Sequence, residues 1–231
     1  MSLADEMRLK VKEILREQWT TRKGTVVPES TDLGLGNDAV EITGTVLYAD
    51  LSASTALVDN YEPRFAAEVY KAYLYCAAKI IRSEGGVITA YDGDRVMAVY
   101  LGDTKNTSAA RTGLKVNWAV KNIVNPLLKA QYPDKAYEVK QTIGIDTSQL
   151  FVARTGIRGA NDLVWVGHAA NHAAKLASLP ADFATWISSA VHDVLLDSVK
   201  ANAGRAMWEK RAWTAMDNAI IYRSNWTWAV E

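Results

Sequence analysis

The chain has 231 residues, 49% of them hydrophobic and 23% charged, with 26 Lys plus Arg against 26 Asp plus Glu. That composition belongs to a globular chain with one sizeable core; it excludes a disordered polypeptide and offers none of the positive excess that binding nucleic acid requires. One cysteine, Cys76, excludes an intrachain disulfide framework, and no apolar run reaches the roughly 20 residues needed to span a bilayer, so a soluble cytoplasmic protein is expected.

Leu3, Met7, Val11, Ile14 and Leu15 recur at helical spacing and predict an amphipathic helix over residues 3–19. Packing on the core is the simpler role for it, and a dimer or partner contact is the other. The charges distributed through this segment are not those of a signal peptide. "KGTVVPESTDLGLGNDA" then reads as a linker. "EITGTVLYAD", rich in β-branched residues, predicts a strand that ends on a lone acid, Asp50. The long helix that follows has Pro63 in its first turn and Gly85-Gly86 at its end. It contains Cys76, which at helical spacing reads as core filler rather than a nucleophile.

"VITAY" and "RVMAVYL" are β runs joined by "DGD", a hairpin signal that sets Asp94 at the entry to its second strand. "TSAARTGLKVNWAVKNIVNPLLKAQY" predicts a second long helix, "YEVKQTIGID" and "LVWV" predict strands, and "HAANHAAKLASL" a helix stopped by Pro180. "ATWISSAVHDVLLDSV" reads as a short strand running into a helix, and two closing strands fall in "MWEKRAWTAM" and "AIIYRSNWTWAV". The order β-α-β-β-α-β with later additions predicts an α+β fold with a ferredoxin-like core, an N-terminal helix and extra C-terminal strands.

In that order the first strand and the first hairpin lie side by side, so Asp50 and Asp94 emerge at one sheet edge. Two converging carboxylates suit Mg²⁺, which prefers one or two protein carboxylates plus substrate phosphates. The "SAST" segment after Asp50 offers hydroxyls and backbone N–H groups at a helix start, a seat for phosphate oxygens. The alternative for Asp50 is a plain N-cap. His168 and His172 have the i, i+4 spacing of zinc ligands on a helix, but the Glu of a zinc hydrolase is replaced by Ala169. Lining an interface or the nucleotide pocket is the competing role for these histidines. Arg154 and Arg158 in "TGIRGAND" read either as a phosphate or cross-dimer contact or as a solvated hairpin.

"VLYADLSAST", "GGVITAYDGDRVMAVY" and "LVWVGHAANHAAKLAS" together resemble, in order and spacing, the three signature segments of class III nucleotidyl cyclases. The resemblance implies residues 39–231 as a cyclase catalytic domain preceded by a helix and linker over 1–38. It further implies a head-to-tail homodimer with shared active sites. Asp50, Asp94 and the Leu51 carbonyl would hold two Mg²⁺ or Mn²⁺ ions. The partner would contribute Asn171 to position the ribose and Lys175 to balance phosphate charge. Ser52, Ala53, Ser54 and Thr55 would line the nucleotide.

Ala53 and Ser54 replace the Gly and Phe of the family's turn, and Lys175 replaces its Arg. Ala90 and Val164 stand where adenylate cyclases of the family read adenine, and neither side chain can hydrogen-bond a base. Tyr48, Ser54 and His168 are the alternative base readers. Without adenine readers the chain is most similar to the stand-alone pyrimidine cyclases of Pycsar antiphage systems. That similarity implies UTP as substrate, cyclic UMP as an antiviral second messenger, and a separate effector protein that binds it. A cytidylate cyclase, an atypical adenylate cyclase and a catalytically dead nucleotide-binding regulator are the other readings.

Overall fold

The computed structural model describes residues 1–231. It begins with helix α1 (Leu3–Arg16), strand β1 (Thr20–Lys23) and strand β2 (Asp38–Leu51). Helices α2 (Ser54–Asn60) and α3 (Pro63–Ser83), hairpin strands β3 (Val87–Asp92) and β4 (Arg95–Tyr100), and helices α4 (Lys105–Ala119) and α5 (Asn125–Gln131) follow. Strands β5 (Gln141–Ile157) and β6 (Ala160–Val166) precede helix α6 (His168–Ala177) and strand β7 (Thr185–Ser188). The chain closes with α7 (Ser189–His192), α8 (Asp197–Lys200), the short pair β8 (Ala201–Asn202) and β9 (Arg205–Ala206), then β10 (Glu209–Trp213) and β11 (Ala219–Ser224).

Two compact units share these elements, one of residues 1–43 with 149–167 and the other of residues 44–148 with 168–231. Within the larger unit the strands run in the order β10-β11-β7-β5-β2-β4-β3. The last four members, β5-β2-β4-β3, give the ferredoxin-like order expected from β-α-β-β-α-β. β7 joins parallel to β5, and β11 and β10 extend the edge by antiparallel pairing, which accounts for the predicted closing strands.

The core of this unit grows from alternate faces of the same elements. Val69, Tyr73, Ala77 and Ile81 lie at i, i+4 steps along α3, all 0% exposed, and join Leu47, Val96, Ala98, Ile143 and Ile145 of the sheet. Trp226 and Trp228 of the C-terminal tail pack partly buried on this core beyond the end of β11, and the Trp228 N–H donates to Leu114 O. Cys76 lies half-buried against the core and its burial raises the thiol pKa, as suits a filler.

The predicted second long helix is interrupted. Val120–Val124 form one π-turn between α4 and α5, and the Asn125 N–H reaches back to Val120 O. Pro126, with no N–H to give, follows immediately, and a π-turn is one way a helix accommodates such a residue without breaking.

In the smaller unit β1 pairs parallel with the first residues of β2, and β5 and β6 form a hairpin. The segment before β2 is thus more than a loop. Trp19 sets its ring edge against Phe151 at 4.9 Å, and Asn37 Nδ2 caps the end of α1 by donating to Ile14 O and Glu17 O. No residue of α1 is buried, so the expectation that its apolar stripe packs on the core is not met. "TGIRGAND" is the β5–β6 hairpin, in which Arg154 is occupied by Asn161 Oδ1 and Leu33 O. No helix is long and apolar enough to cross a membrane.

The contact that places α6 on the sheet runs through Gly144. A Cβ there would lie 2.1 Å from Ala173 O and 2.4 Å from Ala177 N, so only a residue without a side chain lets α6 lie directly on β5. Gly144→Ala is expected to lower stability in urea unfolding by about 3 kcal/mol, the upper end of overpacking costs, and to raise amide exchange in α6. A variant with unchanged stability and exchange would show that the helix does not depend on this approach.

Candidate active site

Two elements bring Asp50 and Asp94 together. β2 and β4 are antiparallel with Asp50 opposite Arg95, and Asp94 immediately precedes Arg95. The loop between β3 and β4 is only Gly93-Asp94, and Gly93 has φ 59°, the left-handed entry that a two-residue hairpin needs and glycine supplies. The turn therefore fixes Asp94 beside the end of β2.

The surroundings compensate the pair only in part, through Arg95 and the Leu51 backbone N–H. Burial first, and the Asp94 charge second, push the Asp50 carboxyl up to about 6. Asp94 Oδ2 is buried with no hydrogen-bond partner. Behind them Tyr73 is wholly buried, its hydroxyl also lacks a partner, and burial with the nearby Asp50 and Asp94 charges raises its pKa well above the ordinary phenol value. Arg95 lowers the Asp50 pKa but is itself paired with Asp92 at 3.1 Å. An orphaned buried carboxylate oxygen beside a second carboxylate is the donor set that a hard divalent cation fills. These residues fit the metal site that the sequence resemblance implies.

The turn after Asp50 is a helix start, as expected. Ala53 occupies the left-handed region at φ 57° and leads into α2. An L-residue there is strained, which explains the glycine that related turns carry at this point. Ser52 N–H donates to Lys140 O and its hydroxyl lies 3.0 Å from Thr142 Oγ1, whereas the Ser54 side chain is bonded to Tyr70. Thr55 is exposed. Tyr48 lies beneath Arg95, whose guanidinium carbon is 5.7 Å from the ring centre. Ala90 is half-buried in β3 opposite Met97, next to a bulge in the β3–β4 ladder. Val164 belongs to β6 in the other unit.

Asn171 and Lys175 are exposed on α6, one turn apart on one face. Lys175 forms no ion pair with either carboxylate; its Nζ lies 3.6 Å from Met216 Sδ, in a cavity of about 430 Å³ lined also by Arg95 and Trp213. Within one chain, then, the carboxylate pair is assembled, while Asn171 and Lys175 are presented outward.

The structure adds residues that the sequence reading passed over. Tyr70 and Tyr73 carried only a core signal, from helical spacing. Asp146 closes the "TIGID" run as a lone acid after apolar residues, the same signal that singled out Asp50, and its carboxylate meets His168 Nδ1 at 2.7 Å. His192, in a segment expected to be helical, is a partly exposed residue of α7, with its ring parallel to Tyr222 at 3.5 Å.

The raised Asp50 pKa has a thermodynamic sign. Between about pH 4 and the folded value, the folded protein keeps a proton that the unfolded chain has released. This group therefore stabilises the fold at low pH, and the contribution is lost as pH rises through about 6. In metal-free protein, Asp50→Asn is expected to raise the melting temperature more at neutral than at acid pH. Equal shifts at both would show that Asp50 is not held in this environment.

No family model matches the chain. It is 53% identical over 232 aligned positions to a uridylate cyclase of Xanthomonas perforans and 47% identical over 232 to a uridylate cyclase of Burkholderia cepacia, each alignment covering the whole of both chains. Among solved structures, a guanylyl cyclase superposes with a TM-score of 0.68 at 18% identity, over 81% of this chain and 94% of that one. The adenylyl cyclase CyaB from P. aeruginosa superposes with a TM-score of 0.65 at 21% identity, over 80% of this chain and 95% of that one. The chain thus belongs to the uridylate cyclase family, has the fold of the class III cyclase catalytic domain, and is a nucleotidyl cyclase.

Proposed function

We propose that this protein converts UTP to 3′,5′-cyclic UMP and pyrophosphate, at sites completed by a second copy of the chain. The observation that carries the reading is the convergence of the two carboxylates, with Asp50 pushed up to about 6 and Asp94 Oδ2 buried without a partner. Asp50, Asp94 and the Leu51 carbonyl are the groups that would hold two Mg²⁺ or Mn²⁺ ions. When bound, such ions neutralise triphosphate charge and make the ribose 3′-hydroxyl a better nucleophile.

The rest of the work falls to the chain. In the reaction the 3′-oxygen bonds to the α-phosphorus, the bond to the β-phosphate oxygen breaks, and the hydroxyl proton is released. Backbone N–H groups at the start of α2 face phosphate oxygens. Asn171 from the partner copy orients the ribose, and Lys175 from the same copy offsets charge on the phosphates. The outward presentation of both residues in one chain supports their use by another. A cyclic C2 pairing generates two such composite sites.

For the base, the names of the full-length relatives favour uridine, and Ala90 and Val164 supply no group that rewards a purine edge over a pyrimidine. Similarity to the Pycsar cyclases supports a role for the product as an antiviral messenger, read by a separate cyclic-nucleotide-binding effector.

Two experiments test the reading. Asp50→Ala and Lys175→Ala proteins are each expected to be nearly inactive, with Asp50→Ala down roughly a thousandfold, the rate equivalent of several kcal/mol. Mixed in equal amounts, they are expected to recover about a quarter of wild-type activity, because half of the dimers are mixed and each of those has one intact site. A mixture that stays dead although both variants fold and exchange partners would overturn the shared site. When the four nucleoside triphosphates are supplied together with Mn²⁺, mass analysis is expected to find cyclic UMP as the main product. Predominant cyclic AMP or cyclic GMP would overturn the pyrimidine reading, and predominant cyclic CMP would overturn uridine.

A further inference from the structure

Outside the carboxylate pair, one other cluster has the donor set of a metal centre. Asp146 on β5 and His168 and His172 on α6 each offer a ligand atom, and all three atoms lie within 4.8 Å of one another. Asp146 is 0% exposed. Its Oδ2 lies 2.7 Å from His168 Nδ1 and 3.9 Å from His172 Nδ1, and its Oδ1 is buried with no partner. A fully buried carboxylate with an idle oxygen is costly unless something claims that oxygen.

We propose that Asp146, His168 and His172 form a second metal centre, which takes a borderline transition ion of the zinc class and ties the first turn of α6 to β5. A tetrahedral ion with bonds of about 2.1 Å keeps its ligand atoms roughly 3.4 Å apart, and the two Asp146–imidazole separations, 2.7 and 3.9 Å, bracket that spacing. Two imidazoles with one carboxylate favour Zn²⁺ or Co²⁺ over Mg²⁺, which asks for oxygen ligands.

The site is built on fixed parts. The two rings are i, i+4 on one helix, with centroids 3.5 Å apart, and Trp213 sets its edge against His172 at 5.5 Å. Ala169 N–H donates to Ser148 Oγ at 3.0 Å and anchors the turn between the two histidines. His168 has 58% of its side chain exposed, so an ion has an entry side and a position open to water or another ligand. The missing Glu that argues against a zinc hydrolase does not bear on this centre, because it performs no hydrolysis. Its consequence is mechanical: Asn171 lies between the two ligating histidines, so the ion fixes the turn that presents it.

The test is a titration of the chelator-stripped, full-length protein with Co²⁺, read by the visible d–d absorption of a nitrogen- and oxygen-ligated ion and by the melting temperature. One equivalent is expected to give the absorption band and raise the melting temperature. Zn²⁺ is expected to abolish the band and excess Mg²⁺ to leave it. Asp50→Ala is expected to keep the band, since that variant alters only the other site. His168→Ala, at an exposed position where the fold tolerates truncation, and His172→Ala are each expected to weaken binding by at least roughly tenfold. Absence of the band from the wild-type protein, its survival unchanged in both histidine variants, or its loss in Asp50→Ala would each overturn the proposal. Loss in Asp50→Ala would assign the ion to the carboxylate pair instead.

Discussion

Two negative charges held beside each other, offset only in part by Arg95, are the constraint around which the larger unit is arranged. Asp50 and Asp94 repel, and burial makes the repulsion worse. The sheet nevertheless forces them together, because a two-residue turn permits Asp94 no other place and the β2–β4 ladder permits Asp50 none. The energy for this comes from elsewhere in the fold. The apolar face of α3 and the inner strands bury a nearly continuous set of side chains around Tyr73, directly behind the acids. The burial around the acids offsets a locally unfavourable pair of charges, and on the proposed function that pair would be the site of a divalent ion.

The same logic explains why α6 approaches the sheet so closely. Gly144 removes the side chain that would hold the helix off, and the helix fills the space with Ala173 and Ala177. Close packing of small residues makes the position of α6 hard to adjust, which suits an element that carries Asn171 and Lys175 on its outer face. Asp146, two residues along β5 from Gly144, takes up the first turn of the helix through His168. The helix is thus held at two points, by backbone proximity at Gly144 and by polar contact at Asp146.

How much of this was legible in the sequence follows from where each signal resides. Period and punctuation are local, so the β-α-β-β-α-β order, the "DGD" hairpin, Pro63 at a helix start and the convergence of Asp50 with Asp94 were readable. The π-turn before Pro126 was not, because it depends on how a helix resolves a missing N–H and leaves its periodicity almost intact. The fate of α1 was not, because an amphipathic stripe declares that it wants a cover without saying what supplies it; all of that stripe remains exposed. Asp146 was missed for a different reason. Its signal equalled that of Asp50, but the residues that give it meaning, His168 and His172, are more than twenty positions away and meet it only because β5 and α6 pack face to face.

The contrast between what a single chain completes and what it leaves open bears on the assembly. Every part of the carboxylate pair comes from adjacent strands of one sheet, so it forms as soon as that sheet does. Asn171 and Lys175 are fixed with equal care on a rigid helix, yet they are presented outward and without an acidic partner. A lysine that a protomer positions but does not pair carries no desolvation cost until another molecule brings negative charge to it. The triphosphate held by a second copy would bring that charge, and the nucleotide would then strengthen the contact between protomers by the same free energy with which dimerisation strengthens its own binding. On the proposed assembly the substrate would be part of the interface, and the exposed face of α6 would be half of a site.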